Sequence, residues 1–168
     1  MGINKSFFGR MPMQHHSLTN LIQWGTHLSV GDQAIDAQHK AIFDLGTQVH
    51  EYWRSGARVD ILRPTADKLA NLLQGHFAHE EQVLARIGYA GLAEHMAEHR
   101  VMLDDLEAMQ ERLGRFGDGY KSSGGSILAP GWSIMQFMLE FTIGHVMSSD
   151  MSYCQSLKAS RDSVSGTT

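Results

Sequence analysis

Apolar residues recur along this chain at the three- and four-residue spacing of amphipathic helices, and strand-like alternation is absent. The first such stripe follows Val30-Gly31-Asp32 and runs to about Trp53, with Ile35, His39, Ile42 and Val49 on one face. Ser55-Gly56 ends it. A second helix is expected from Pro64, which fits a first turn where a missing N–H costs little, to Ile87. Its inner stripe is Leu69, Leu72, Leu73, His76, Glu80, Val83 and Leu84. After the turn Gly88-Tyr89-Ala90-Gly91, a third helix runs from Leu92 to about Phe116 with His95, His99, Met102, Leu103 and Leu106 on one side. The Gly- and Ser-rich stretch 116–126 reads as a flexible loop. A fourth helix covers Pro130 to about Leu157, with Phe137, Met138, Phe141, His145 and either Met151 or Cys154 facing inward.

Four such helices joined by short loops predict an all-α, up-down-up-down four-helix bundle over residues 22–158. Residues 1–21, broken by Gly2, Gly9 and Pro12, read as an irregular N-terminal arm, and 159–168 as a disordered polar tail.

Composition changes this picture in one respect. The chain has 168 residues, enough for one domain with a real core. Its net charge of −4 argues against nucleic acid as a partner, and no apolar run reaches the ~18–20 residues of a membrane span. A lone cysteine, Cys154, and the lack of a signal-peptide pattern lead to the expectation of a cytoplasmic location. Histidine stands out: there are ten, and metal binding is the leading explanation.

The spacing of these histidines matters more than their number. His76 and Glu80 are i and i+4, about 6 Å apart along a helix axis on one face, and His95 and His99 repeat that spacing. Each pair can present two ligands from one helix. Leu72, Leu73, Val83 and Leu84 flank the first pair, and a buried carboxylate or imidazole is costly unless paired or metal-bound. His39 and His145 lie on the apolar stripes of the first and fourth helices, so every helix contributes a candidate at comparable depth. Asp150 fits worst. Five residues beyond His145, it lies about 140° around an ideal α-helix, so it must reach across or the helix must distort. Imidazole and carboxylate without thiolate suit iron, zinc or copper. Seven donors exceed the four of a structural zinc site and suggest two metals with bridging carboxylates.

The residues that bear this pattern resemble the hemerythrins, particularly the bacterial ones. Trp24, Leu28-Ser29-Val30-Gly31 and Ile35-Asp36-Ala37-Gln38-His39-Lys40 are similar to the opening signature. His76-Phe77-Ala78-His79-Glu80-Glu81, then Gly88-Tyr89-Ala90-Gly91 with His95 and His99, then His145 with Asp150, match the later motifs over about residues 22–157. The resemblance implies two irons bridged by an oxo or hydroxo group and by Glu80 and Asp150. One iron would be held by His95, His99 and His145, the other by His39 and His76 with an open position for dioxygen. Phe141, Thr142 and Val146 would line the oxygen pocket. Reversible dioxygen binding for storage, delivery or sensing is the implied function, with no catalysis. A di-iron enzyme reducing peroxide or nitric oxide is the alternative, and a sensory module acting through a partner of the N-terminal arm is another.

Three positions depart from the family pattern. Thr142 stands where an apolar residue is usual, Phe141 where tryptophan is frequent, and Ala90 where proline is frequent. The Thr142 hydroxyl could line the pocket, hydrogen-bond a ligand and speed oxidation, or it could bond back to the Met138 carbonyl of its own helix. His50 reads as a core histidine or one that supports a ligand. His79 should face away from the metals, and His15, His16 and His27 read as surface residues.

Overall fold

The computed structural model describes residues 23–117, 120 and 130–165. The arm at 1–21, with His15 and His16, lies outside them, as does most of the expected 116–126 loop. A 3-10 turn, Thr26–Leu28, leads into α1, Gln33–Ser55. Asp32 caps α1 by accepting from the backbone N–H of Ala34 and Ile35, and Gly56 closes it at φ +68°, a left-handed geometry that favours glycine. Asp36 reaches back to the Ser29 hydroxyl at 2.5 Å and the Val30 N–H at 2.9 Å, which fixes the chain that carries Trp24. Then come α2, Val59–Arg86, and α3, Leu92–Gly114. The fourth arm is continuous but composite: α4, Pro130–Leu139, a π-helical segment, Glu140–Asp150, and α5, Met151–Ser165.

α1 packs on α2 and α4, and α3 closes the ring against α2 and α4, giving the expected all-α four-helix bundle. No strand occurs among the described residues, and none of their helices is long and apolar enough to cross a membrane. Gly46 permits the close approach of α1 to α4: a Cβ there would sit 2.5 Å from Met138 Cε.

Two expected boundaries move. α2 begins at Val59, so Pro64 is the sixth residue of the helix and not in its first turn. Proline forfeits one i→i−4 hydrogen bond there, but Val59 and Leu62 are fully buried and anchor the extra turn. The Val59 N–H bonds the Tyr120 carbonyl at 3.1 Å, and Arg63 donates to the Leu113 and Phe116 carbonyls. At the other end the helix does not stop near Leu157, since 158–165 continue α5 and only 166–168 of the expected tail lie outside the described residues. Arg161 donates to the Gly31 carbonyl, tying this extension to the start of α1.

The core is divided into two apolar clusters, and the division positions the site. The larger contains Ile42, Phe43, Leu69, Leu73, Leu106, Met138, Phe141 and Val146. The smaller contains Val30, Ile35, Val83, Leu84, Tyr153 and Leu157. On α1, His39 falls between Ile35 of one and Ile42 of the other; on α2, His76 and Glu80 fall between Leu73 and Val83. A single polar layer therefore crosses the bundle with apolar packing above and below.

Candidate metal centre

That layer holds His39, His76, Glu80, His95, His99, His145 and Asp150, each at most 4% exposed. All seven residues nominated from sequence converge. They form two overlapping sets, Glu80 with His95, His99 and His145, and Glu80 and Asp150 with His39 and His76. Within each set the ligand atoms lie within 4.8 Å of one another. Glu80 Oε2 is 3.2 Å from His99 Nε2, 3.3 Å from His95 Nε2 and 3.6 Å from His76 Nε2. Asp150 spans the same gap, with Oδ2 3.1 Å from His39 Nε2 and Oδ1 3.0 Å from His145 Nε2. The Nε2 atoms of His39 and His76 face each other at 3.1 Å, as do those of His99 and His145.

Asp150 reaches the layer because the helix changes type. With i→i+5 hydrogen bonds, a residue five positions on returns close to the same face, whereas in an α-helix it would be about 140° away. The π segment Glu140–Asp150 contains both His145 and Asp150. Here the helix distorts and the side chain does not need to stretch.

Neighbouring side chains orient the layer. Tyr153, fully buried, donates its hydroxyl to Glu80 Oε1. His99 Nδ1 is 2.8 Å from Glu81 Oε1, and His76 Nδ1 is 3.3 Å from Gln38 Oε1. His145 Nδ1 lies 3.4 Å from Glu98 Oε2 but makes no hydrogen bond of good geometry. The Phe77 ring stacks on His99 at 3.9 Å between centroids. Around His39 and His76 the wall is aromatic: Phe141 lies 6.2 Å and 6.3 Å from the two rings, Trp24 lies 5.8 Å from His39, and Phe43 lies 5.7 Å from Trp24.

The electrostatics describe a site made for neutral imidazole and a cation. Burial pushes His76 down to about 3 and His145 down to about 2, so both stay neutral near pH 7. Burial would raise Glu80, but the imidazoles of His95, His99 and His76 beside it and the Tyr153 hydroxyl hold it well below its ordinary value. Asp150 moves up, through burial and then through the negative charge of Glu80. For His95, burial is outweighed by Glu80, Asp150 and Glu98, which raise it. Glu80 Oε2, His95 Nε2 and both Asp150 carboxylate oxygens are buried without hydrogen-bond partners. Such orphaned atoms are costly, and all of them face the same gap. Neutral nitrogen donors, two carboxylates and no thiolate fit divalent or trivalent first-row metals there.

The expected pocket residues Phe141, Thr142 and Val146 are all buried. The Thr142 hydroxyl donates to the Met138 carbonyl at 2.7 Å, which is the back-bonded alternative. His50 is buried more than a helical turn away against Trp53, His79 is half-buried outside both sets, and His27 is exposed. Sequence reasoning missed Tyr153, Glu81 and Gln38. Tyr153 could have been found as an aromatic three residues past Asp150, on the same face in an α-helix.

Comparison with known proteins agrees with this geometry. The family model for the hemerythrin HHE cation binding domain matches residues 30–152. A bacteriohemerythrin of Stenotrophomonas maltophilia is 24% identical over 139 residues, 83% of each chain. Bacteriohemerythrins of Methylococcus capsulatus and Clostridium acetobutylicum are 31% identical over 91 residues and 28% over 88. These cover 54% and 51% of this chain, and 66% and 68% of the relatives. The matched span encloses all seven converging residues and the π segment that delivers two of them, and on these grounds the chain belongs to the hemerythrin family.

Proposed function

We propose that this protein binds dioxygen reversibly at a di-iron centre. The observation that carries the reading is the asymmetry of the two sets: three imidazoles gather on one side of the shared carboxylates and two on the other. His95, His99 and His145 would hold one iron, and His39 and His76 the other. Glu80 and Asp150 would bridge them, since each lies beside nitrogens of both sides. Iron held by these residues would supply the electrons for reversible binding of dioxygen.

The chain's own contribution is orientation and exclusion. Glu81 and Gln38 fix the rings of His99 and His76 through their outer nitrogens, which sets which nitrogen faces the metal. Tyr153 fixes the carboxylate of Glu80 in the same way. Trp24, Phe43 and Phe141 wall the two-histidine side with aromatic surface, keeping water and protons away from a ligand held there. The Thr142 hydroxyl has one proton, and it is donated to Met138. The polar handle that would favour peroxide or nitric oxide reduction is thus turned into the helix, and reversible binding is the better reading.

The test is to load the chain with iron, reduce it anaerobically, add oxygen and follow the visible spectrum through repeated deoxygenation. Full recovery over several cycles, with two irons per chain, supports the proposal. One metal per chain, or immediate conversion to the ferric form with turnover on peroxide, overturns it.

A further inference from the structure

A second cavity, of about 400 Å³, opens between α3 and the fourth arm. Its walls are mainly apolar, with Val101, Met102 and Phe137, and Glu98, Asp105 and Glu140 supply charge. Among the described residues no lysine or arginine lines it. The volume falls in the range of small-molecule sites. Gly144 contributes open space, because a Cβ added there would meet nothing within 4 Å. At its most buried point the cavity reaches His145, 2% exposed, whose Nδ1 lacks a hydrogen-bond partner and lies 3.4 Å from Glu98. One buried nitrogen of the metal centre therefore looks out into a groove that presents apolar surface and three carboxylates.

The geometry points to a binding site for a small amphiphilic monocation, an amine with an apolar body, seated between Val101, Phe137 and Gly144 with its charge against Glu98, Asp105 and Glu140. Three anionic groups, with no lysine or arginine in the lining and Arg112 in the adjoining pocket beside Asp105 and Glu140, give the groove its sign preference, and apolar walls reward a ligand that brings carbon as well as charge. A cation beside Glu98 draws that carboxylate from His145 Nδ1, and a change at the outer nitrogen of a ligand imidazole alters the metal it holds. Occupancy and metal state are then linked in both directions. Binding to the groove stands by itself; the link to the metal rests on the di-iron reading.

The experiment titrates octyltrimethylammonium and octyl sulfate into the 168-residue chain by isothermal calorimetry, metal-free and metal-loaded. Gly144→Leu, which fills the open space, and Val101→Lys, at a position 60% exposed, are measured beside the parent. One cation per chain is expected, with octyl sulfate weaker by about tenfold or more, and each variant should lose about tenfold in cation affinity. In the cobalt(II)-loaded chain, saturating cation should shift the visible spectrum. Equal affinity for both amphiphiles, variants that bind like the parent, or self-association through the groove in sedimentation overturns the site. An unshifted cobalt spectrum overturns the link. If the chain takes up no metal, calorimetry on the metal-free protein still decides the groove, so the two readings fail separately.

Discussion

At the scale of single residues, two hydroxyls near the metal layer have opposite consequences. Tyr153 donates to Glu80 Oε1 inside a fully buried environment. Tyr153→Phe leaves that oxygen without a donor, a cost of about 1–3 kcal/mol, with almost no change of volume. Urea unfolding of the metal-free variant should show that loss, and metal affinity should fall because Glu80 is no longer held in place; an unchanged midpoint together with unchanged affinity contradicts the assignment. Thr142 is buried too, but its proton is already donated to Met138. Thr142→Val is expected to leave the oxidation rate of the reduced, iron-loaded centre within about twofold of the parent, since the variant removes no donor from the pocket. A several-fold slower oxidation would show that the hydroxyl reaches a ligand after all. The two cases differ in legibility. Both residues stand in sequence as polar groups on an apolar face, and only side-chain direction separates the one that serves the site from the one that serves its own helix.

At the scale of the element, the fourth arm is where sequence and structure part. His76 with Glu80 and His95 with His99 were legible because α-helical spacing alone puts each pair on one face. His39 and His145 were legible from their place in apolar stripes. Asp150 was legible only through the family resemblance, because an α-helix places it about 140° from His145 and the segment is π-helical. Nothing in the order Glu-Phe-Thr-Ile-Gly-His announces that change. Pro64 misled for a related reason: local preference placed it in a first turn, and the burial of Val59 and Leu62 overrode that preference. The π segment carries a prediction of its own. Deleting one exposed residue between the two ligands, Ser148, leaves His145 and the aspartate four apart, a spacing that an α-helix brings onto one face as five does in a π-helix. The deletion should keep two metals per chain while the segment becomes α-helical. Deleting Ala78, between His76 and Glu80, shifts Glu80 by about 100° out of the layer and should abolish metal binding. If both deletions behave alike in metal analysis, the π segment is not what sets the register.

For the whole molecule, the polar layer makes stability depend on metal and on pH. Without metal the bundle buries five imidazoles and two carboxylates, six of whose atoms lack partners. Any ion that binds the folded form alone stabilises it, by about 2.7 kcal/mol at a hundred times its Kd. The pH dependence of the metal-free form follows from the imidazoles. In the fold His76 protonates at about 3 and His145 at about 2, against an ordinary 6.5, in each case because burial disfavours the charged form. Their contribution is whole above pH 6.5 and is lost as pH falls, by up to about 1.4 kcal/mol per pH unit for each, because the unfolded chain takes up the protons. His95, raised by its carboxylate neighbours, works the other way, but only above pH 6.5, since below that it is protonated in both states. Asp150, raised by burial and by Glu80, returns some stability as it protonates in the fold, one proton against two. The net slope between pH 6.5 and 4.5 is therefore positive. Urea midpoints of the metal-free chain should fall steadily across that window, and the metal-loaded chain should hold its midpoint further into acid until protons displace the metal from the histidines. A metal-free midpoint that stays level from pH 6.5 to 4.5 would mean that His76 and His145 are not kept neutral by burial, and the electrostatic account of the layer would have to be abandoned.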